Sequence, residues 1–482
     1  MILVEKQIVT PKDSYYKTLL GETRKSKDLR NAALFVNRQH YSARHGKYFI
    51  EDIASDVDKD YVPWQTVDKL LKKNNHPAYK AMLANSAQET LKLVDQEYAS
   101  FFALMKLKAA GLYNGKVRVP NYSDKDGYYP VVYNQNQLSR KYIERDQIKI
   151  PKTDVVLSGF VHLDKMRQLR IIPKNGYIVV ELSYRVDEVP ELEDNGRYAS
   201  IDTGVDILAA IYSNVAESFL ISGGPLKSIN HYYNSKLAEL KSLLAQNKNT
   251  VVDEMTGEIV EQRSSHATER LQMTRDNKIN DYLHKASTLI VLFLLTNKIN
   301  TLIVGHSKGW KQSTRMRHKS KESQNFQFIP FNRFIFMLQY KCRLHGIRFI
   351  LQEESYTSKA SAFDGDFIPT YDENVPKEVR KTWVKFSGRR VKRGLYKTKD
   401  GIRVNADING AANVLRKYLQ EVRNATQSPA DIGLVMNPVQ ASVLFQVIRP
   451  RVSHTRKDKG TSKETLACAK QTVKIVNRFN QF

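Results

Sequence analysis

From Arg197 onward, short apolar runs alternate with helix-length stretches, and that alternation restricts the second half of the chain to a central sheet with helices packed on it. RYASIDTG and ILAAIYSN read as strands, a long polar helical stretch begins at about residue 225, and an apolar helix covers about 281–297. NTLIVG is the next strand, followed by the helix FNRFIFMLQYKCRLHG and the strand IRFILQEES. Just upstream, VPELEDNG at 189–196 is acidic, turn-rich and without apolar period, which marks a domain boundary.

The first half has a different texture. Ala84, Ala87, Leu91, Val94, Tyr98, Phe101, Phe102 and Met105 recur at steps of three and four, the period of an amphipathic helix, so 12–110 reads as a helical module. Residues 111–197 break into KVRVPNY, YYPVVY, DVVLSGFVHL, QLRIIP and YIVVELSYRV, an antiparallel β region. MILVEKQIVT alternates like a strand and is cut off by Pro11. Should it pair with the later sheet, the helical module becomes an insertion into a β-barrel-like domain.

Lys and Arg number 76 against 50 Asp and Glu, a net charge of +26 spread along the whole 482 residues. A polyanion is the expected partner, and nucleic acid fits better than a membrane. The longest apolar run, Thr288 to Leu295, is too short to cross a bilayer, and MILVEKQIVTPK lacks a signal-peptide core, so a soluble intracellular protein is expected. Cys342 and Cys468 are the only cysteines, which excludes a disulfide framework and a four-cysteine zinc site. Beyond about 426 come Pro429, Pro438 and Pro450, then nine Lys or Arg against two acids between Arg449 and Arg478, which reads equally as a solvated tail or a nucleic-acid-binding arm.

Three carboxylate positions stand at element ends in the α/β half. Asp202 ends YASID, Glu353 and Glu354 end RFILQEE, and Asp407 begins the helix of NADINGAANVLRK. Each has an ordinary explanation: Asp202 in a turn, Asp407 at a helix start beside Asn405 and Asn409. Together they suit Mg²⁺ or Mn²⁺, which prefer oxygen ligands, and two such ions can support phosphodiester hydrolysis.

IDTGVDILAAI, IVGHSKGWKQ, EESYTSKAS and RGLYKTKDGIRVNADINGAANVLRK, in this order and spacing, resemble the RuvC-like nuclease domain of the TnpB family, transposon-encoded RNA-guided nucleases related to type V CRISPR effectors. The resemblance runs from about 198 to 420, and FFALMKLKAAGLYNGKVRVPNY extends it upstream. It implies a multidomain α+β chain: a wedge-type β-barrel split over 1–11 and 111–197, a helical recognition module at 12–110, an RNase H-like (RuvC-type) α/β nuclease domain at 198–425 with a lid at about 358–400, and a basic tail at 426–482. It further implies a guide RNA transcribed from the element's own end, double-stranded target DNA beside a short flanking motif, one protein on one RNA, and a prokaryotic cytoplasmic setting associated with the nucleoid.

By the same resemblance Asp202 corresponds to the first RuvC acid and Asp407 to the last, as catalytic and metal-binding residues. The middle acid departs. The family's usual glutamate ends the strand matching TLIVG, where this chain has Gly305 and His306. Some relatives carry it on the later strand, five residues before the lysine of EESYTSKAS, which is Glu354; Glu353 is the fallback, since strand alternation sends the two to opposite faces. A second departure is the family's zinc ribbon. SKASAFDGD and FSGRRVKRGLYKTKDG occupy its place without cysteine, so no zinc is expected.

Two basic runs complete the reading. Lys308 to Lys321 holds six cations, no acid and Trp310, and 377–399 holds ten cations and one acid. Lys308, Trp310, Lys311, Arg315, Arg317, Lys359, Arg389, Arg390, Lys392 and Arg393 are the expected nucleic-acid contacts, cations neutralising phosphates and the aromatic stacking on bases. The competing functions are a nuclease-inactive guide-dependent DNA-binding repressor, for which Gly305 speaks, and a type V CRISPR effector.

Overall fold

The computed structural model describes residues 1–45, 54–174, 176–246, 250–252, 259–261, 265–306, 328–371, 385–423 and 439–440. The fold is mixed α/β in two compact units, one of 1–187 with 241–270, the other of 188–240 with 271–482.

The first unit opens with β1 (Ile2–Val9), α1 (Tyr16–His45), α2 (Trp64–Lys73), α3 (Pro77–Lys80) and α4 (Ala84–Ala109). It continues with β2 (Val131–Asn134), α5 (Arg140–Ile143), β3 (Gln147–Lys149), β4 (Val156–Ser158), β5 (Met166–Lys174) and β6 (Tyr177–Arg185). β1 pairs antiparallel with β6 over its whole length, from Ile2 opposite Arg185 to Val9 opposite Ile178. The sheet order is β1-β6-β5-β2, with β3-β4 as a separate ladder, so the described strands make an open four-stranded sheet whose ends do not pair, rather than one closed barrel. The helices inserted between β1 and β2 share its core: Leu29, Leu34, Leu91 and Tyr98 join Leu169, Ile171, Val180 and Leu182. Arg30 of α1 meets Glu97 of α4 through two bonds, at 2.9 and 2.7 Å.

The second unit begins with β7 (Tyr198–Asp202), β8 (Ile207–Ser213) and β9 (Phe219–Ser222). Along the chain follow α6 (Gly224–Gln246), the ladder of β10 (Thr250–Val252) and β11 (Ile259–Glu261), and α7 (His266–Thr296). Then come β12 (Thr301–His306), α8 (Phe331–Leu344), β13 (Arg348–Glu353), β14 (Arg389–Lys392), β15 (Leu395–Lys397), β16 (Arg403–Asn405), α9 (Ala406–Arg423) and the two-residue β17 (Val439–Gln440).

The main sheet has the order β13-β12-β7-β8-β9-β17. β7, β8 and β9 run antiparallel in succession, while β12 lies parallel to β7 and β13 parallel to β12. Both faces are covered, which is why YASID, ILAAIYS and TLIVGH are buried almost throughout instead of alternating with polar residues. Ala199, Ile201, Leu302 and Val304 pack with residues of α7 and α8. Tyr198, Ala210, Tyr212 and Ile303 pack with Ala411, Ala412, Val414 and Leu415 of α9. Strand period therefore assigns faces: on β7, Tyr198, Ser200 and Asp202 turn toward α9, and the Ser200 hydroxyl donates to the Ala411 carbonyl at 2.6 Å. A small three-stranded sheet, β14-β15-β16, leads directly into α9.

Candidate active site

Asp202 is the last residue of β7, half-buried and facing α9. Its carboxyl lies so close to the helix that a Cβ on Gly410 would overlap Oδ2 and stand 3.2 Å from Cγ. Gly410 is thus the gap in α9 that admits the carboxylate. Three residues upstream on the same helix, Asp407 sits in the first turn. The cap belongs to another residue: Asn405 Oδ1 accepts from the Asp407 and Ile408 amides at 2.9 and 3.1 Å. The Asp407 carboxylate is released from that duty and lines a cleft of about 260 Å³ with Asp202, Thr203, Gly204, Val205, Asp206, Ile207, Ser358, Arg390 and Arg393.

Glu354 approaches from β12's far neighbour. In the parallel ladder Gly305 lies opposite Gln352, and Glu354 follows just past the end of β13. A Cβ on Gly305 would stand 3.0 Å from Glu354 Oε2, 3.1 Å from Val414 Cγ2 and 3.3 Å from the Ile201 carbonyl. The Glu354 carboxylate therefore lies over Gly305, in the space a side chain at 305 would enter. Glu353 is engaged elsewhere, with the Lys417 ammonium, the Ser355 hydroxyl and the Ser355 amide, the last at 2.7 Å. Of the two glutamates, Glu354 is the one that shares the surroundings of Asp202.

The carboxylates feel one another electrostatically, and cations offset the charge of some of them. Burial, then the negative charges of Glu354 and Asp407, push the Asp202 carboxyl up to about 8. Asp407 is also raised, chiefly by burial, against the opposing pull of Arg390. Asp206 moves the other way, lowered by its Lys227 partner and by Arg393. Hard oxygen donors gathered in this way fit Mg²⁺ or Mn²⁺ better than zinc. Among the described residues, however, no three of His, Cys, Asp and Glu lie close enough to hold one ion. Two ion pairs occupy the cleft instead: Arg390 Nη2 is 3.3 Å from Asp407 Oδ1, and Arg393 Nε is 2.6 Å from Asp206 Oδ2.

α9 also holds the segment after β13. Asn409 donates to the Ala360 carbonyl at 2.8 Å and accepts from the Ala362 amide at 3.0 Å. Asn413 donates to the Thr357 and Ala360 carbonyls at 2.9 and 2.7 Å, and Arg416 reaches the Ser361 and Asp366 carbonyls at 3.2 and 3.0 Å. In the segments that occupy the zinc ribbon's place by the resemblance, two acids bind serines and backbone. Asp366 accepts from the Ser361 amide at 2.7 Å and the Ser387 hydroxyl at 2.7 Å, and Asp364 accepts from the Ser387 hydroxyl at 3.0 Å and the Lys399 amide at 2.9 Å.

The expected nucleic-acid contacts divide. Arg390 and Arg393 line the cleft, Arg389 and Lys392 are exposed on β14 outside its lining, and Lys359 holds its ammonium 5.9 Å from the Tyr356 ring centroid. Lys308, Trp310, Lys311, Arg315 and Arg317 lie outside the described residues, as does the tail from 441 onward. Sequence reasoning missed Asp206, Gly410 and the pairing of Arg390 with Asp407. Asp206 had a signal, a second acid in the turn of IDTGVD; Gly410 showed only as a glycine inside the helical pattern of DINGAAN, which does not say what approaches it.

The family described as OrfB_IS605, probable transposase, matches residues 181–311, and the Cas12f1-like TNB domain matches 331–414. The chain is 19% identical over 415 residues to the TnpB-like protein ORF457 of Acidianus two-tailed virus, covering 79% of this chain and 80% of that protein. Among solved structures it is similar to Cas12f1 in a complex with sgRNA and target DNA, at 15% identity, TM-score 0.47 and 83% of each chain. It is also similar to CasPhi-2 (Cas12j) bound to crRNA and phosphorothioate DNA, at 8% identity, TM-score 0.36, and 89% and 92% of the two chains.

Proposed function

We propose that this TnpB-family chain is an RNA-guided DNA endonuclease, whose RuvC-type site hydrolyses both strands of a target duplex next to a short flanking motif. The guide is an RNA from the element's own end, carried by one protein, and pairing between guide and target supplies sequence choice while the protein reads backbone shape. The observation that carries the reading is the convergence of Asp202, Glu354 and Asp407 from β7, the end of β13 and α9 on one side of the main sheet. The run β13-β12-β7-β8-β9 of the main sheet, with β7 to β9 antiparallel and β12 and β13 parallel, supports reading the second unit as RNase H-like, and the first unit's sheet with its helical insertion would take the wedge and recognition roles.

Asp202, Glu354 and Asp407 would hold two Mg²⁺ or Mn²⁺ ions, which when bound activate water and stabilise the leaving oxygen. The chain's part is to orient these groups. Gly410 fixes how deeply the Asp202 carboxylate enters, Gly305 leaves room for Glu354, and Asn405 caps α9 so that the Asp407 carboxylate faces the cleft. Partial burial at the end of the sheet strengthens their electrostatic coupling. Arg389, Arg390, Lys392, Arg393 and Lys359 supply positive charge for the incoming phosphates. The bonds among Asp364, Asp366, Ser361 and Ser387 support a reading in which the base of the 358–400 segment is held without zinc.

A plasmid bearing sequence that matches the RNA bound to the purified protein provides the test. Linearisation is expected with Mg²⁺ and none with EDTA. Tight binding of the matched plasmid without cutting, at any Mg²⁺ or Mn²⁺ concentration, would instead establish a guide-dependent repressor.

A further inference from the structure

The cleft's two arginines are paired with its carboxylates, Arg390 with Asp407 and Arg393 with Asp206. β14 and β15 form a hairpin whose register slips between Arg390 and Lys392, Arg390 lying opposite Tyr396 and Lys392 opposite Leu395. Arg390 lies on β14 and Arg393 in the turn just past its end, and both reach the cleft. The hairpin's base is fixed: Tyr396 is fully buried and donates to the Lys359 carbonyl at 2.8 Å, and Ser387 and Lys399 are bound to Asp364 and Asp366. The tip is anchored separately, because Asp206 also holds Lys227. Arg390 itself is 41% exposed and makes a single contact with Asp407, so it can leave without disturbing the fold.

We propose that Arg390 is the resident counter-ion of Asp407 and competes with the divalent cation for that carboxylate, so that the β14–β15 hairpin sets how readily the metal site fills. This rests on the reading of Asp202, Glu354 and Asp407 as metal-binding residues. It accounts for two facts together: the carboxylates share one neighbourhood, yet no three of them close on a single point, and Asp407 is the one held by an arginine.

Mn²⁺ binding to the full-length chain, freed of nucleic acid and followed by the electron paramagnetic resonance of unbound Mn²⁺, separates the possibilities. Arg390→Gln is expected to lower the dissociation constant about two- to fivefold, the range of a partly exposed ion pair. Arg390→Lys keeps a point charge within reach and should restore weaker binding. Arg403→Gln removes an equal charge from exposed β16 and should leave the constant unchanged. Unchanged or weaker binding in Arg390→Gln, or an equal shift in Arg403→Gln, overturns the inference while the metal site stands. No Mn²⁺ bound by any of the four proteins overturns the inference and the metal-site reading together.

Discussion

A Cβ on Gly410 would overlap the Asp202 carboxylate, so the smallest possible enlargement of α9 strikes the site directly. Gly410→Ala should cost about 1–3 kcal/mol of stability by overpacking. It should cost cleavage about a hundredfold, the penalty of displacing a reacting group by roughly an ångström; melting curves and single-turnover rates check the two effects separately. Asp202 also makes the metal-free protein pH-sensitive. Its folded pKa, about 8, stands above the ordinary 3.8, so the folded state binds this proton more tightly. The resulting stabilisation is complete below the ordinary value and lost as pH rises through the folded one. Melting temperatures of the EDTA-treated protein should fall over that window, and Asp202→Asn should flatten the decline; parallel curves for the two proteins contradict the assignment. Asp202, Glu353, Glu354 and Asp407 stood out in the sequence because each ends or begins an element with a clear apolar pattern, while the choice of Glu354 over Glu353 came from the resemblance. The entry of Gly410 beneath Asp202 was hidden, because a close approach between a helix and a strand some two hundred residues apart leaves no local period.

At the scale of elements, α9 is the tie that joins the acids. It carries Asp407, leaves room for Asp202, and binds the segment after β13 through Asn409, Asn413, Arg416 and Lys417. Lys417 is 1% exposed and engages Glu353 together with the Ser355 and Pro369 carbonyls, each at 3.3 Å. Lys417→Met should destabilise by about 1–3 kcal/mol, less than a fully buried pair because Glu353 keeps partial access to water. Since Glu353 adjoins Glu354, cleavage should fall further than the thermal shift explains; equal rates at a temperature where both proteins are folded would show the tether to be structural only. Patterning revealed α9 and α4 plainly, although Met105 at the end of α4's apolar stripe is 42% exposed. β1 was legible as a strand, but its alternation misleads: Ile2, Val4 and Ile8 are exposed while Glu5 and Gln7 bond to Val161 and Ser158. The register shift in β14 could not be read at all, since RRVKRG carries no residue that specifies it.

For the whole molecule, the net charge of +26 suits a polyanionic partner, and no helix among the described residues is long and apolar enough to cross a membrane. The pairing of β1 with β6 across the helical insertion was open in the sequence, because register between distant strands is set by tertiary packing. The account's central claim is narrower than fold or charge: the third acid of the site has moved from the β12 edge, now Gly305, to Glu354. Cleavage of a guide-matched plasmid by Glu354→Ala and Glu353→Ala, with DNA binding measured in parallel, tests it most directly. The account predicts that Glu354→Ala binds target normally and does not cut, while Glu353→Ala retains measurable cutting. Full cleavage by Glu354→Ala would contradict it.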